Sequence, residues 1–186
     1  MYNHQGTITL ETNRLILRRF NSCDADTMFH TWSSDEEVAK YMRWDAHKSV
    51  QETKQVISNW LNNYERLDFY LWAITLKDTD NPIGSIGMFC VNTNDMCYEV
   101  AYSIGKDYWN KGYVSEALKS VLNFGLLQVG INRIEAYHSI NNPASGKVMQ
   151  KCGMQYEGQA RQKYKSRIGF EDCNTYAILK DDLLFE

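Results

Sequence analysis

The chain has no run of 18 apolar residues anywhere in its 186, so no segment is suited to cross a bilayer as a helix and no membrane partner is expected. Its first residues, MYNHQGTITLE, carry neither the positive start nor the apolar stretch of a secretory signal, and a cytoplasmic location is expected. Cysteine pairs at metal or redox spacing are missing too: Cys23, Cys90, Cys97, Cys152 and Cys173 are odd in number, scattered, and form no CxxC. That removes support for a zinc site or a redox motif and leaves free thiols in a reducing compartment. An excess of positive charge is also lacking. Twenty Lys and Arg stand against 23 Asp and Glu, a net charge of −3, which argues against nucleic acid as a partner. With no repeat, low-complexity tract or linker, residues 1–186 read as one domain, in which folding buries about 70 % of the unfolded surface.

What is present alternates between strand and helix signals. NRLILRRF (13–20) reads as a first strand, and Asn21 or Asp24 caps a short helix through Trp32. SSDEEV starts a second helix with acids in its first turn, and Val50, Val56, Ile57, Trp60, Leu61 and Tyr64 recur at helical spacing between Ser49 and Leu67. FYLWAITL (69–76), IGSIGMFCV (83–91) and MCYEVAYSIG (96–105), joined by the turn-rich KDTDNP and NTND, predict an antiparallel meander. Val114, Ala117, Leu118, Val121, Leu122 and Gly125 fall at i, i+3, i+4, i+7, i+8 and i+11, an amphipathic helix stopped by Gly130. NRIEAYHS (132–139) is a strand; Asn142, Pro143 and Gly153 then delimit a helix of about ten residues. Two tyrosine-bearing strands, Gln159–Lys165 and Asp172–Leu179, close the chain. The order predicts an α+β fold around one mixed, mostly antiparallel sheet.

The turn YWNKGYVSEAL (108–118) carries the functional question. A helix start leaves N–H groups unpaired and attracts anions, so a strand feeding a helix through a tight glycine turn suits a pyrophosphate. By itself, with Gly112 and Lys111 alone, such a turn is more often an ordinary strand-to-helix connection. The wider pattern is more specific. YSIGKDYWNKGYVSEAL followed by NRIEAYHSINNPASGKVMQKCGMQYEG resembles the GNAT N-acetyltransferases, and among them the Rim-type ribosomal-protein-alanine branch. TNRLILRRF, YMRW, IGSIG, GMQYEGQARQKY and YAILKDD extend the resemblance over nearly the whole chain.

The resemblance implies a GNAT fold, with about seven strands splayed between the fourth and fifth and about four flanking helices. It implies acetyl-CoA as co-substrate and no metal. The family's pyrophosphate turn, Q/R-x-x-G-x-G/A, falls on Trp109, Asn110, Lys111, Gly112, Tyr113 and Val114. Asn110 stands where the branch usually has glycine, and Val114 where it has a small residue. Asn tolerates left-handed backbone; the branched side chain of Val114 is expected to crowd the phosphate. The free backbone of Tyr102, Ser103 and Ile104 is expected to pair with pantetheine. Attack of an amine on a thioester needs a base, donors for the oxyanion and an acid for the thiolate. Glu99 is the candidate base, against the reading of a solvated strand carboxylate, with Glu135 a weaker rival. Ser145 is the candidate proton donor to the thiolate, and Asn142 both a helix cap and a cofactor contact. Arg43 and Trp44 are expected at the acceptor groove, where aromatic packing is the competing reading. His138 is read as structural. Lys111, Lys147 and Lys151 are candidate phosphate contacts or plain surface lysines.

The expected activity is direct acetyl transfer from acetyl-CoA to a primary amine, a protein N-terminal α-amine or a small-molecule amine. No cysteine falls at a matched catalytic position, so no covalent enzyme intermediate is expected. A non-catalytic CoA-binding regulatory module is the alternative, motivated by Asn110 and Val114. Dimers are common in the family, so a homodimer is within what the resemblance implies.

Overall fold

A strand that is apolar on both faces must be covered on both faces. In the computed structural model, which describes residues 2–185, the run from Tyr70 to Leu76 is such a strand, β3 (Tyr70–Leu76), buried along its length until Leu76. Its even residues Tyr70, Trp72 and Ile74 enter one core, and Leu71 and Ala73 enter a second on the other side. Flanking β3 are β2 (Leu15–Arg18), with the two-residue β1 (Leu10–Glu11) outside it, and β4 (Pro82–Asn92). The sheet continues through β5 (Cys97–Ile104), β6 (Arg133–Ser139), β8 (Gly169–Leu179) and β7 (Gln155–Ser166), in that order. All neighbours are antiparallel except β5 and β6. Eight strands are present among the described residues rather than about seven, because β1 is too short to show a pattern in sequence.

Among the described residues five α-helices flank the sheet: α1 (Asp24–Met28), α2 (Glu36–Ala39), α3 (Val50–Leu61), α4 (Tyr113–Asn123) and α5 (Pro143–Lys151). Asp35 caps α2 by accepting from the Glu37 N–H, and Ser49 caps α3 through Glu52. α3 stops six residues before the expected end at Leu67. Asn63 donates to the Asn59 carbonyl there, a local bond that competes with continued helix. Tyr64 leaves the helical stripe to donate to the Leu71 carbonyl and accept from the Phe20 N–H. α4 relaxes into a π-helical turn, Phe124–Val129, that ends on Gly130 at φ +83°.

The feature that positions the site is the short parallel pairing. β5 and β6 are joined only from Cys97↔Arg133 to Glu99↔Glu135. Beyond that, β4 alone holds Val100–Ile104, and β8 alone holds Ala136–Ser139. The Gly105 N–H bonds the Ile83 carbonyl on β4. By the alternation of an antiparallel ladder, Ser103 points its backbone groups at β4 as well, while Tyr102 and Ile104 turn theirs toward the gap.

Candidate active site

The turn between β5 and α4 begins with a 3₁₀ turn, Lys106–Tyr108, after which the Trp109 indole N–H donates to the Ile104 carbonyl at 3.0 Å. Asn110 lies at φ +60° and Gly112 at φ +80°, so two left-handed residues reverse the chain before the helix. Asparagine and glycine are the residues that tolerate that region best. Gly112 is the N-cap of α4 with no side-chain cap, and the first helical bond runs from the Glu116 N–H to the Gly112 carbonyl. The N–H groups of Tyr113, Val114 and Ser115 therefore have no intrahelical acceptor. The expectation for Val114 is corrected: its side chain is buried in the core with Ala117 and Leu118, and only its N–H is left to the turn.

Arg14, which carried no motif signal, buttresses this turn. It donates to the Lys111 carbonyl at 3.0 Å, lies 4.5 Å over the Tyr113 ring and pairs with Glu116 at 2.7 Å. Burial acts to raise the Glu116 carboxyl, but hydrogen bonds from Thr12 and Arg14 outweigh it and hold the group below its usual range. A carboxylate in the first turn of α4 is thus paired, and its repulsion of an anion is offset. Lys111 lies 5.6 Å from the Tyr108 ring, and Lys147 and Lys151 are exposed on α5.

In the gap between the strands, the Tyr102 hydroxyl meets Ser145 in the first turn of α5, at 3.0 Å from its carbonyl and 2.9 Å from its Oγ. A carbonyl only accepts, so the phenol donates to it and the serine hydroxyl is free to donate to the phenol oxygen. Burial keeps the Tyr102 phenol far above its ordinary value, hence protonated. Tyr102 is expected from sequence only for its backbone; its hydroxyl is an addition. Asn142 occupies the N-cap of α5, but its side chain makes no cap bond, which corrects half of that expectation.

Glu99 projects from the other face of β5, half-buried. Burial pushes its carboxyl above the ordinary range, while the Arg43 guanidinium and the Tyr137 hydroxyl pull the other way. Arg43 donates to the Tyr137 hydroxyl at 2.6 Å and lies 5.1 Å over the Tyr164 ring. Tyr164 in turn donates to the Tyr41 carbonyl at 2.7 Å, tying the β7–β8 hairpin to the segment after α2. The rival Glu135 is drawn to Arg133 at 3.5 Å, beside the stronger Arg133–Glu157 pair. Arg43 and Trp44 part company: Trp44 turns into a cavity with Trp32, Trp60 and Ser103, whose hydroxyl meets Ser85 at 3.0 Å. His138 is buried; its Nδ1 donates to the Ser139 carbonyl at 2.7 Å and its Nε2 has no partner. Among the described residues no group of three potential ligands could hold a metal, and no helix is long and apolar enough to cross a membrane.

Residues 14–155 match the family described as an acetyltransferase (GNAT) domain. The uncharacterized N-acetyltransferase YoaA of Bacillus subtilis (strain 168) is 32% identical over 171 residues, covering 92% of this chain and 96% of that protein. A GNAT-family acetyltransferase from Bacillus anthracis superposes with a TM-score of 0.83 at 25% identity, over 94% of this chain and 99% of its own. RimL, a ribosomal L7/L12 α-N-protein acetyltransferase solved in complex with coenzyme A, has the same fold. Its TM-score is 0.82 at 16% identity, over 94% of this chain and 99% of its own.

Proposed function

The chain belongs to the GNAT acetyltransferase family, and from that premise we propose that it moves acetyl from acetyl-CoA directly onto a primary amine, such as a protein N-terminal α-amine or a small-molecule amine. The observation that carries the proposal is the uncapped start of α4, reached through left-handed Asn110 and Gly112, at the end of a strand whose outer edge is unpaired. The N–H groups of Tyr113, Val114 and Ser115 suit a pyrophosphate. Tyr102, from the free edge of β5, suits an extended amide chain and the thioester carbonyl. The two departures that favour a non-catalytic relative lose their force, because Asn110 adopts the required conformation and the Val114 side chain lies in the core.

Acetyl-CoA supplies the activated acyl group; the chain supplies positions and protons. Glu99, held between Arg43 and Tyr137, takes the ammonium proton, directly or through water, so that the amine attacks as the neutral form. The Tyr102–Ser145 pair supplies a proton to the departing sulfur, with Ser145 as its outer hydroxyl. Direct transfer agrees with the thiols: burial pushes those of Cys152 and Cys173 up to about 11, far from an activated nucleophile. A single domain and a cytoplasmic location belong to the same proposal.

Following free CoA thiol over an amine panel tests it. Glu99→Gln is expected to lower kcat by about 10²- to 10⁴-fold with the affinity for CoA unchanged, and Ser145→Ala by a smaller factor. Turnover unaffected in both variants removes these roles, and no heat of CoA binding in calorimetry removes the site.

A further inference from the structure

A cavity of about 200 Å³ opens on the α1–α3 side of the sheet, apart from the groups that handle protons. Trp32, Trp44, Trp60, Ser85, Ser103 and His47 are among the residues that line it. Among the described residues no Asp, Glu, Lys or Arg lines it. Burial lowers the affinity of His47 for a proton, and its Nδ1 is within 2.8 Å of the Thr53 hydroxyl, so the ring is neutral near pH 7. Sites for whole drug-sized ligands run to several hundred Å³; this one has room for a single side chain.

Its position connects it to Glu99. Ser103 and Glu99 project from the same face of β5, with exposed Ala101 between them. Four residues of strand separate them, about 13 Å. Overhead, consecutive residues reach both ends: Arg43 touches Tyr137 beside Glu99, and Trp44 enters the cavity. One strand and one segment thus both run from the carboxylate to the tryptophans.

We propose that this cavity selects the acceptor by taking an uncharged aromatic or large aliphatic group carried within about 13 Å of the reacting amine. The inference rests on the transferase reading above and narrows its acceptor class. Neutral walls gain from desolvating an apolar group, whereas a second ammonium of a polyamine or aminoglycoside would be desolvated without a counter-charge. Three tryptophans also suit a cation–π cage for a quaternary ammonium. Met28 and Val56 in the wall, and the lack of a carboxylate, favour the apolar occupant.

The test compares thiol release with 2-phenylethylamine, ethylamine and spermidine. The value of kcat/KM for phenylethylamine is expected to exceed that for ethylamine by about ten- to hundredfold, the factor that burying one such side chain is worth. Ser85→Leu and, separately, Val56→Phe fill the cavity and are expected to bring that ratio near one, leaving ethylamine turnover and the KM for acetyl-CoA as they were. Tryptophan fluorescence of the CoA-bound protein supplies a readout independent of turnover, since three of the chain's five tryptophans wall the cavity. Phenylethylamine is expected to change it saturably; choline and spermidine are not. Preference for spermidine, a response to choline but not phenylethylamine, or an unchanged ratio in both filled variants overturns the proposal. CoA binding without thiol release from any amine overturns the transferase reading alone, and the fluorescence titration then decides the pocket.

Discussion

At the level of single residues, Glu99 is in tension between burial and its neighbours. Burial raises its folded carboxyl above the unfolded value, while Arg43 opposes the shift. The ionised form is therefore the one the fold disfavours. The stability it contributes is fully present below the unfolded value and is lost as pH rises through the folded one. Glu99→Gln is thus expected to raise the thermal midpoint at neutral pH while it abolishes most turnover, a loss of strain and function together. Removing the opposing cation acts in the other direction: in Arg43→Met the carboxyl rises further, and the acidic limb of the kcat/KM profile moves to higher pH. A limb that stays in place removes Arg43 from the site. The carboxylate and its alternation on β5 are visible in sequence, but Arg43 and Tyr137 are 94 residues apart, and nothing local links them.

Among the elements, the turn into α4 is where local chemistry predicts most. Gly112 at φ +80° has space for a Cβ, whose nearest neighbour is Arg14 Nη2 at 3.5 Å. The cost of Gly112→Ala is therefore backbone strain, about 1–2 kcal/mol, read as a lower urea midpoint together with weaker CoA binding in calorimetry. Asn110→Gly places the more permissive residue at φ +60° and is expected to leave both quantities unchanged or improved. Weaker CoA binding in Asn110→Gly would mean that the asparagine side chain does more than shape the turn. Val114 shows how an element-level pattern resolves a residue-level worry. Its place in the i, i+3, i+4 stripe of α4 puts the side chain in the core, so the turn receives only its N–H.

Over the whole molecule, Arg18 joins three parts of the chain. It makes two hydrogen bonds to Asp24 in α1, at 2.8 and 2.9 Å, and two to Asp80 in the β3–β4 turn, at 2.7 Å to its carboxylate and 2.9 Å to its carbonyl. Asp24 is buried and also accepts from the Asn21 N–H. Asp24→Ala is expected to cost about 3 kcal/mol, the low end for breaking a buried pair because Asp80 still compensates Arg18. Chemical denaturation measures it, and the KM for acetyl-CoA is expected to hold. The succession of strands and helices along the chain, the stripe of α4, the Asn142–Pro143 start of α5 and the glycine turn were all legible in the sequence, because caps, turns and periodicity act over a few residues. The two-residue β1, the early end of α3 and the full length of β7 and β8 were not, since pairing across the sheet sets them. By itself the sequence determined the kind of fold and where the glycine turn into α4 would lie. Only the tertiary structure decided that Tyr102 meets Ser145, that Arg43 faces Tyr137, and that three tryptophans, one from α3 and two from the segment between α1 and α3, line one cavity. Those groups come from segments far apart in the chain, and the register and splay of the sheet bring them together.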